Sequence, residues 1–274
     1  MTSQQHTRPL IDIGVNLADK RFKGETHGVL ERARDAGVSS CILTATSEST
    51  CHEVIDLYER YAEEFPNMLH CTAGVHPHEA KHWHKTSAEV IKDLASHQAV
   101  VAIGETGLDY NRDFSPRPAQ ELAFETQLEL ASELQLPVFL HERDAHKRQL
   151  EILQCYRDHL VDGVLHCFSG DKKALFNYLD LDLHIGITGW ICDERRGQVL
   201  QQIVKNIPLN RLMLETDAPY LTPRTLRPKP KSSRNEPAYL PWILNSVAEF
   251  RNESAEVIAQ ATIATSQQFF RLQL

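Results

Sequence analysis

Short apolar runs recur along the chain at residues 10–17, 40–45, 69–75, 99–103, 137–140, 163–165, 183–187 and 212–214. They are rich in Val, Ile and Leu, the composition of parallel strands buried on both faces. Between them the period changes to that of a helix. Val54, Leu57, Tyr58, Tyr61 and Phe65 share one helical face, as do Phe124, Leu128, Ala131 and Leu134, and again Leu200, Ile203, Val204 and Ile207. Ser115-Pro116 predicts a cap with proline in the first turn, while Pro137 and Pro208 follow helical stretches and stop them. Parallel strands joined by right-handed helical crossovers either close into a barrel or spread as an open sheet. Eight candidate strands favour the α/β class in its (β/α)₈ barrel form. The 274 residues match the ~250 that such a barrel takes. A single domain over residues 1–274 is expected, with 218–274 supplying a basic proline-rich loop and helices over 237–250 and 254–272.

Composition narrows the setting. No apolar run reaches the ~18 residues of a membrane span. The polar N-terminus, Met1 to Pro9, lacks the apolar middle of a secretory signal, so cytoplasmic residence is expected. Six scattered cysteines without a C-x-x-C pair predict reduced, buried thiols. Cys167 follows His166, and strand alternation assigns it to packing. A net charge of −8 argues against indiscriminate adhesion to nucleic acid but leaves room for a local basic patch and a bound cation. No obligate protein partner is implied.

The chemistry gathers where the apolar runs end. In a barrel of this kind the active site forms at the C-terminal ends of the strands. There the chain places Gly74-Val75-His76-Pro77-His78, Gly104-Glu105-Thr106-Gly107-Leu108-Asp109, His141, His166, and Glu215-Thr216-Asp217. A lone histidine or carboxylate at such a position is as easily a structural anchor. Two imidazoles and two carboxylates recurring at one face point to a divalent ion held by Glu105, His141, His166 and Asp217. Such an ion lowers the pKa of a bound water, and Asp217 is expected to take the proton, with Glu105 and His76 completing the catalytic set. Glu215 shares a face with Asp217 and is expected one layer deeper, orienting a ligand.

Beyond Asp217, the loop from Pro223 to Pro237 carries five cations (Arg224, Arg227, Lys229, Lys231, Arg234) beside four prolines. It is long for its position and stiffened, which suits a binding element. Arg227, Lys229 and Arg234, with Arg143, Lys147 and Arg148 after the fifth strand and Arg195 and Arg196 after the seventh, are expected to surround a phosphodiester backbone, and Asn16 and His78 to touch substrate. Tyr110, Trp190 and Tyr220 are candidate stacking surfaces for bases.

Taken together, these segments resemble the TatD family of metal-dependent hydrolases over nearly the whole chain. The resemblance lies in Asp12 to Leu17, Ala73 to His78, Ala102 to Asp109, Phe139 to His146, Leu165 to Gly170, Ile185 to Trp190, Leu214 to Tyr220 and Arg234 to Pro237. It implies a TIM barrel and a magnesium- or manganese-dependent nuclease, zinc being less favoured. It further implies 3′→5′ exonuclease action on single-stranded DNA and also RNA. Family roles carry onto Glu105, His141 and His166 as ligands, Asp217 as ligand or base, and His76 as a site residue. Many members open with H-x-H on the first strand, where this chain has Gly14 and Asn16. The change implies a weakly held second ion. Thr106 and Glu142 stand where cysteine is common, and Glu142 is expected to adjust metal affinity. Two other functions remain open at this level: a metal-dependent hydrolase of small amides or esters, and a degenerate barrel that binds without catalysis.

Overall fold

The computed structural model describes residues 9–230 and 232–272. The polar N-terminal stretch up to residue 8 and Lys231 of the basic loop lie outside the described residues. Eight parallel strands form one sheet in chain order: β1 (Leu10–Val15), β2 (Val38–Leu43), β3 (Leu69–Ala73), β4 (Val100–Asp109), β5 (Val138–Arg143), β6 (Gly163–Leu165), β7 (His184–Ile187) and β8 (Leu212–Leu214). Helices return the chain after each strand: α1 (Thr26–Asp35), α2 (Glu48–Tyr61), α3 (Ser87–Ala95), α4 (Arg117–Leu134), α5 (His146–Tyr156), α6 (Lys172–Asp180) and α7 (Gln198–Ile203). The chain ends with α8 (Leu240–Arg251) and α9 (Ala255–Phe270). Among the described residues no helix is long and apolar enough to cross a membrane.

Strands β4 and β5 run further than their apolar runs predict. Glu105, Thr106, Asp109 and His141 interrupt the hydrophobic pattern, yet the backbones stay paired through Gly107–His141, Leu108–Glu142 and Asp109–Arg143. Pairing, rather than side-chain apolarity, carries these strands out to the rim. A register shift between Gly104 and Thr106 lets β4 bulge there. Gly104 takes φ +143°, and a Cβ at that position would overlap the Phe139 carbonyl, so only glycine fits.

The sheet closes between β1 and β8. The Asp217 amide donates to the Gly14 carbonyl (2.9 Å), and the Asn16 amide donates to the Ala218 carbonyl (2.7 Å). Buried Asp12 accepts the amide and hydroxyl of Thr216 at 2.8 and 2.6 Å, tying the same two elements one layer below. Within the barrel, Ile11, Ile13, Ile42, Ala102, Phe139, Val164 and Met213 form a core that Phe269 and Phe270 of α9 complete. Phe269 also packs against His184, the first residue of β7, so α9 covers the end of the barrel opposite the catalytic rim.

Three buried glutamines fasten that rim to the outer helices. Gln127 of α4 accepts the Val75 amide (2.8 Å) and donates to the Val75 carbonyl (3.1 Å), just beyond β3. Gln120 accepts the Asp109 amide (2.9 Å) and donates to the Ser115 carbonyl (2.9 Å). Gln149 of α5 accepts the Leu108 amide (3.0 Å). Each satisfies backbone groups where the ladder ends and burial persists. Their sequence positions sit on otherwise apolar helix faces. Replacing Gln127 by Leu keeps the bulk and orphans both Val75 groups. The expected loss is about 1–3 kcal/mol of unfolding free energy; an unchanged denaturant midpoint would remove the clamp from this account.

Candidate metal centre

Glu105 is the hub of the rim. Its Oε1 lies 2.7 Å from His166 Nε2 at the end of β6, 2.9 Å from His141 Nδ1 on β5, and 3.4 Å from His76 Nε2 after β3. Residues separated by as many as 90 positions thus meet at one oxygen because neighbouring strands end at the same level. Burial by itself would raise the Glu105 pKa; the imidazoles of His166, His76 and His141 outweigh it and hold the carboxyl well below its usual range. Burial likewise opposes charge on His166, but Glu105 and Glu215 keep its pKa well above that of a free imidazole. The group carries opposite charges in a dry place, which an entering cation would exploit by displacing protons.

The outer nitrogens of the same rings meet acids. His166 Nδ1 lies 3.3 Å from Glu215 Oε2, and His141 Nε2 lies 3.5 Å from Asp109 Oδ2, at the limit of a hydrogen bond. Asp109 also holds His78 Nε2 at 2.7 Å. An imidazole with one nitrogen toward a carboxylate and the other toward the ion position is the arrangement that fixes the tautomer of metal-binding histidines. Asp109 had no role in the sequence reading. It lies four residues after Glu105 on one strand, hence on the same face, and that spacing was the available signal.

Glu215 is fully buried and also accepts the Cys167 amide. A Cβ at position 14 would overlap its Oε2, and one at Gly186 would crowd its Oε1. Glycine at position 14 therefore makes room for the buried carboxylate that orients His166. Asn16, two residues on, donates from Nδ2 to Asp217 Oδ1 (3.0 Å). Burial, opposed by His166 and reinforced by Glu215 and Glu105, lifts the Asp217 carboxyl to about 7.

His76, Glu105 and His141 offer atoms within 4.8 Å of one another, compact enough to surround an ion. The tautomer of His76 argues for a different part. Its Nδ1 accepts the His78 amide (3.0 Å), and burial lowers its pKa to about 4. The neutral ring then carries its proton on Nε2, facing Glu105 as a donor rather than a ligand. His166, outside that compact trio, brings its Nε2 to the same oxygen at 2.7 Å.

Above these residues opens a cavity of ≈ 650 Å³. Asn16, His78, Asp217, Arg143 and Arg196, all named from the sequence, line it; Arg112 does so without having been named. Among the described residues the guanidinium groups of Arg112 and Arg143 make no hydrogen bond or ion pair. The loop cations behave otherwise. Arg234 is held by Glu25 (2.7 Å), Glu236 (2.8 Å) and the Arg21 carbonyl (2.6 Å). Arg227 donates to the Arg224 and Leu226 carbonyls, and Lys229 is exposed; none of the three lines the cavity. Of the rings, Trp190 and Tyr220 border it, whereas Tyr110 spends its hydroxyl on Glu121 (2.7 Å). Cys167 lines it too: β6 ends at Leu165 and Cys167 turns to φ +48°, so the alternation that assigned it to packing no longer applies. Glu142 gives its oxygens to the Ala145 amide (2.9 Å) and the Tyr178 hydroxyl (3.4 Å), which makes it an anchor for α5.

Residues 11–271 match the family model described as TatD related DNase. A protein of Pantoea sp. (strain At-9b) named 3′-5′ ssDNA/RNA exonuclease TatD is 48% identical over 263 residues, covering 96% of this chain and all of that one. Among solved structures, YJJV, a TatD homologue from Escherichia coli K12, superposes with TM-score 0.86 at 29% identity, over 96% of this chain and 98% of its own. A TatD family hydrolase from Entamoeba histolytica gives TM-score 0.87 at 27% identity with the same coverage. With the fold, the rim and the sequence in agreement, the chain belongs to the TatD-related DNase family.

Proposed function

We propose that this protein is a metal-dependent 3′→5′ exonuclease on single-stranded DNA and RNA, acting in the cytoplasm with Glu105, His141, His166 and Asp217 as ligands of a divalent ion. The observation that carries this reading is the convergence of His141 and His166 on Glu105 Oε1, each ring backed by its own acid. The mixed nitrogen and oxygen donors fit a divalent ion; magnesium is the working ion, for which the carboxylates are the stronger ligands, and manganese is its substitute. When bound, the ion supplies an acidified water and polarises the phosphoryl group.

The chain's own groups do the rest. Asp217, buried and steadied by Asn16, accepts a proton near neutral pH. His76 Nε2–H is set to donate to a phosphoryl oxygen or to hold Glu105 in place. Arg112 and Arg143, uncommitted at the mouth, take phosphates on either side of the bond being cut. Unpaired guanidinium groups beside the centre favour a polyanion over a small neutral amide. The homologues' printed name, 3′-5′ ssDNA/RNA exonuclease, supports the polarity of the reaction and its single-stranded substrate.

Glu105→Ala and His141→Ala are each expected to abolish hydrolysis of end-labelled single-stranded DNA with an unchanged far-ultraviolet circular dichroism spectrum. Wild-type turnover persisting in chelator would refute the metal-dependent reading. Asp109→Asn keeps the hydrogen bonds from the Asn111 and Arg112 amides but weakens the hold on His141. The ion concentration for half-maximal activity should rise about 10–100-fold, with rates recovered at saturation; a proportionate loss at all concentrations would count against a role in ligand orientation. Removing the Arg112 and Arg143 side chains should reduce the slope of log affinity against log salt by about 0.7 per residue. Arg227→Ala with Lys229→Ala should change it less, and the reverse ranking would return phosphate binding to the loop.

A further inference from the structure

A second cavity of ≈ 480 Å³ adjoins the first, between the loops that follow β5, β6 and β7. The two share Glu142, Arg143, Ser169, Trp190 and Arg196 as a common wall. Arg196 Cζ stands over the Trp190 ring, 4.3 Å from its centroid, and Asp193 accepts from its Nε at 3.0 Å. The floor is apolar, from Ala174 and Leu200, and Val199 stands half exposed at the rim. Nothing in the reading above uses this space. Its size suits a small organic ligand, and its composition is uneven in an informative way.

Cations and the indole stand on the side facing the catalytic cavity, where a phosphate and a base would enter. Asp144 and Asp171 line the side cavity alone, both exposed, while Glu142 belongs to the shared wall. Glu142 is spent on Ala145 and Tyr178. Asp144 receives Asn111 Nδ2 at Oδ2 (2.6 Å) and Asp171 receives the Ala174 amide at Oδ1 (2.8 Å). Among the described residues the other oxygen of each accepts nothing. Such oxygens can accept but not donate, so they match an amine and offer nothing to a carbonyl. A second phosphate beside Asp144 and Asp171 would be repelled, while a neutral base would not.

We propose that the side cavity seats one nucleoside of the substrate strand next to the scissile phosphodiester, and that it favours bases bearing an exocyclic amine over thymine or uracil. The base packs between Trp190 and Val199, with its phosphate at Arg143 and Arg196 on the shared wall. This deepens the phosphodiesterase reading and rests on it, because only a strand lying in the first cavity would present a neighbour to the second.

The test uses fluorescently labelled deoxycytidine and thymidine homopolymers, bound to the intact protein in chelator so that nothing is cut, with anisotropy as readout. Wild type should bind the cytidine strand about fivefold tighter, the scale of one net hydrogen bond. Asp144→Asn with Asp171→Asn retains the cap of α6 and the left-handed conformation of residue 144 (φ +52°), and should equalise the two strands. Val199→Trp fills the cavity from its exposed rim. It should weaken both strands about tenfold, the worth of one stacked base, while hydrolysis of bis(p-nitrophenyl) phosphate stays within about twofold. Equal wild-type affinity for the two strands, a preference that survives the double substitution, or undiminished binding by Val199→Trp overturns the proposal. Should wild type bind these strands yet cut neither with magnesium or manganese, the exonuclease reading falls, and the cavity is judged on the affinities alone.

Discussion

Closure of the sheet between β1 and β8 is the constraint from which the site follows. A parallel sheet left open would hold Asn16, after β1, and Asp217, after β8, at opposite edges. The amides of Asn16 and Asp217, donating across the seam, complete the ring and bring first and last strand ends together. The same short segment then places Asn16 Nδ2 on the Asp217 carboxylate. Beneath it, Asp12 grips Thr216 through both amide and hydroxyl, so the seam is secured by side chains as well as backbone. Architecture and chemistry meet in the same few residues, and neither can be altered there without the other.

Burying so many ionisable groups is costly unless each finds a partner. The rim meets that demand in layers. Glu105 sits among imidazoles, those imidazoles lean on Asp109 and Glu215, and Glu215 in turn accepts a backbone amide. Gly14 belongs to this layering. Read against H-x-H relatives it looks like a lost ligand, but the space that a side chain would need holds the Glu215 carboxylate. The glycine therefore serves the carboxylate that faces His166.

Much of this was legible in the sequence. Strands buried on both faces announce themselves as apolar runs, and all eight appear; the carboxylate and imidazole residues at their ends stood out through recurrence at one face. What stayed hidden depended on three-dimensional pairing. The outer halves of β4 and β5 look polar in one dimension because their side chains serve the site, while their backbones continue the ladder. Gln120, Gln127 and Gln149 read as surface residues until their backbone partners are seen. The basic loop is the opposite case. Its density of charge suggested a phosphate site, yet Arg234 is consumed by Glu25 and Glu236. Charge count along a chain does not distinguish a cation already paired from one still available.

That distinction explains how a protein of net charge −8 can address a polyanion. Across the surface, cations are matched locally: Arg32 with Glu236, Arg148 with Glu121, Arg211 with Asp182, Arg117 with Asp113. Matched pairs exert little field beyond a Debye length and give a strand nothing to hold. Arg112 and Arg143 are uncommitted, and they stand at the mouth of the cavity over the carboxylate–imidazole cluster. The surrounding acidity then works in favour of selectivity. It discourages adhesion elsewhere on the molecule, which leaves the two guanidinium groups at this mouth as the proposed place for phosphate.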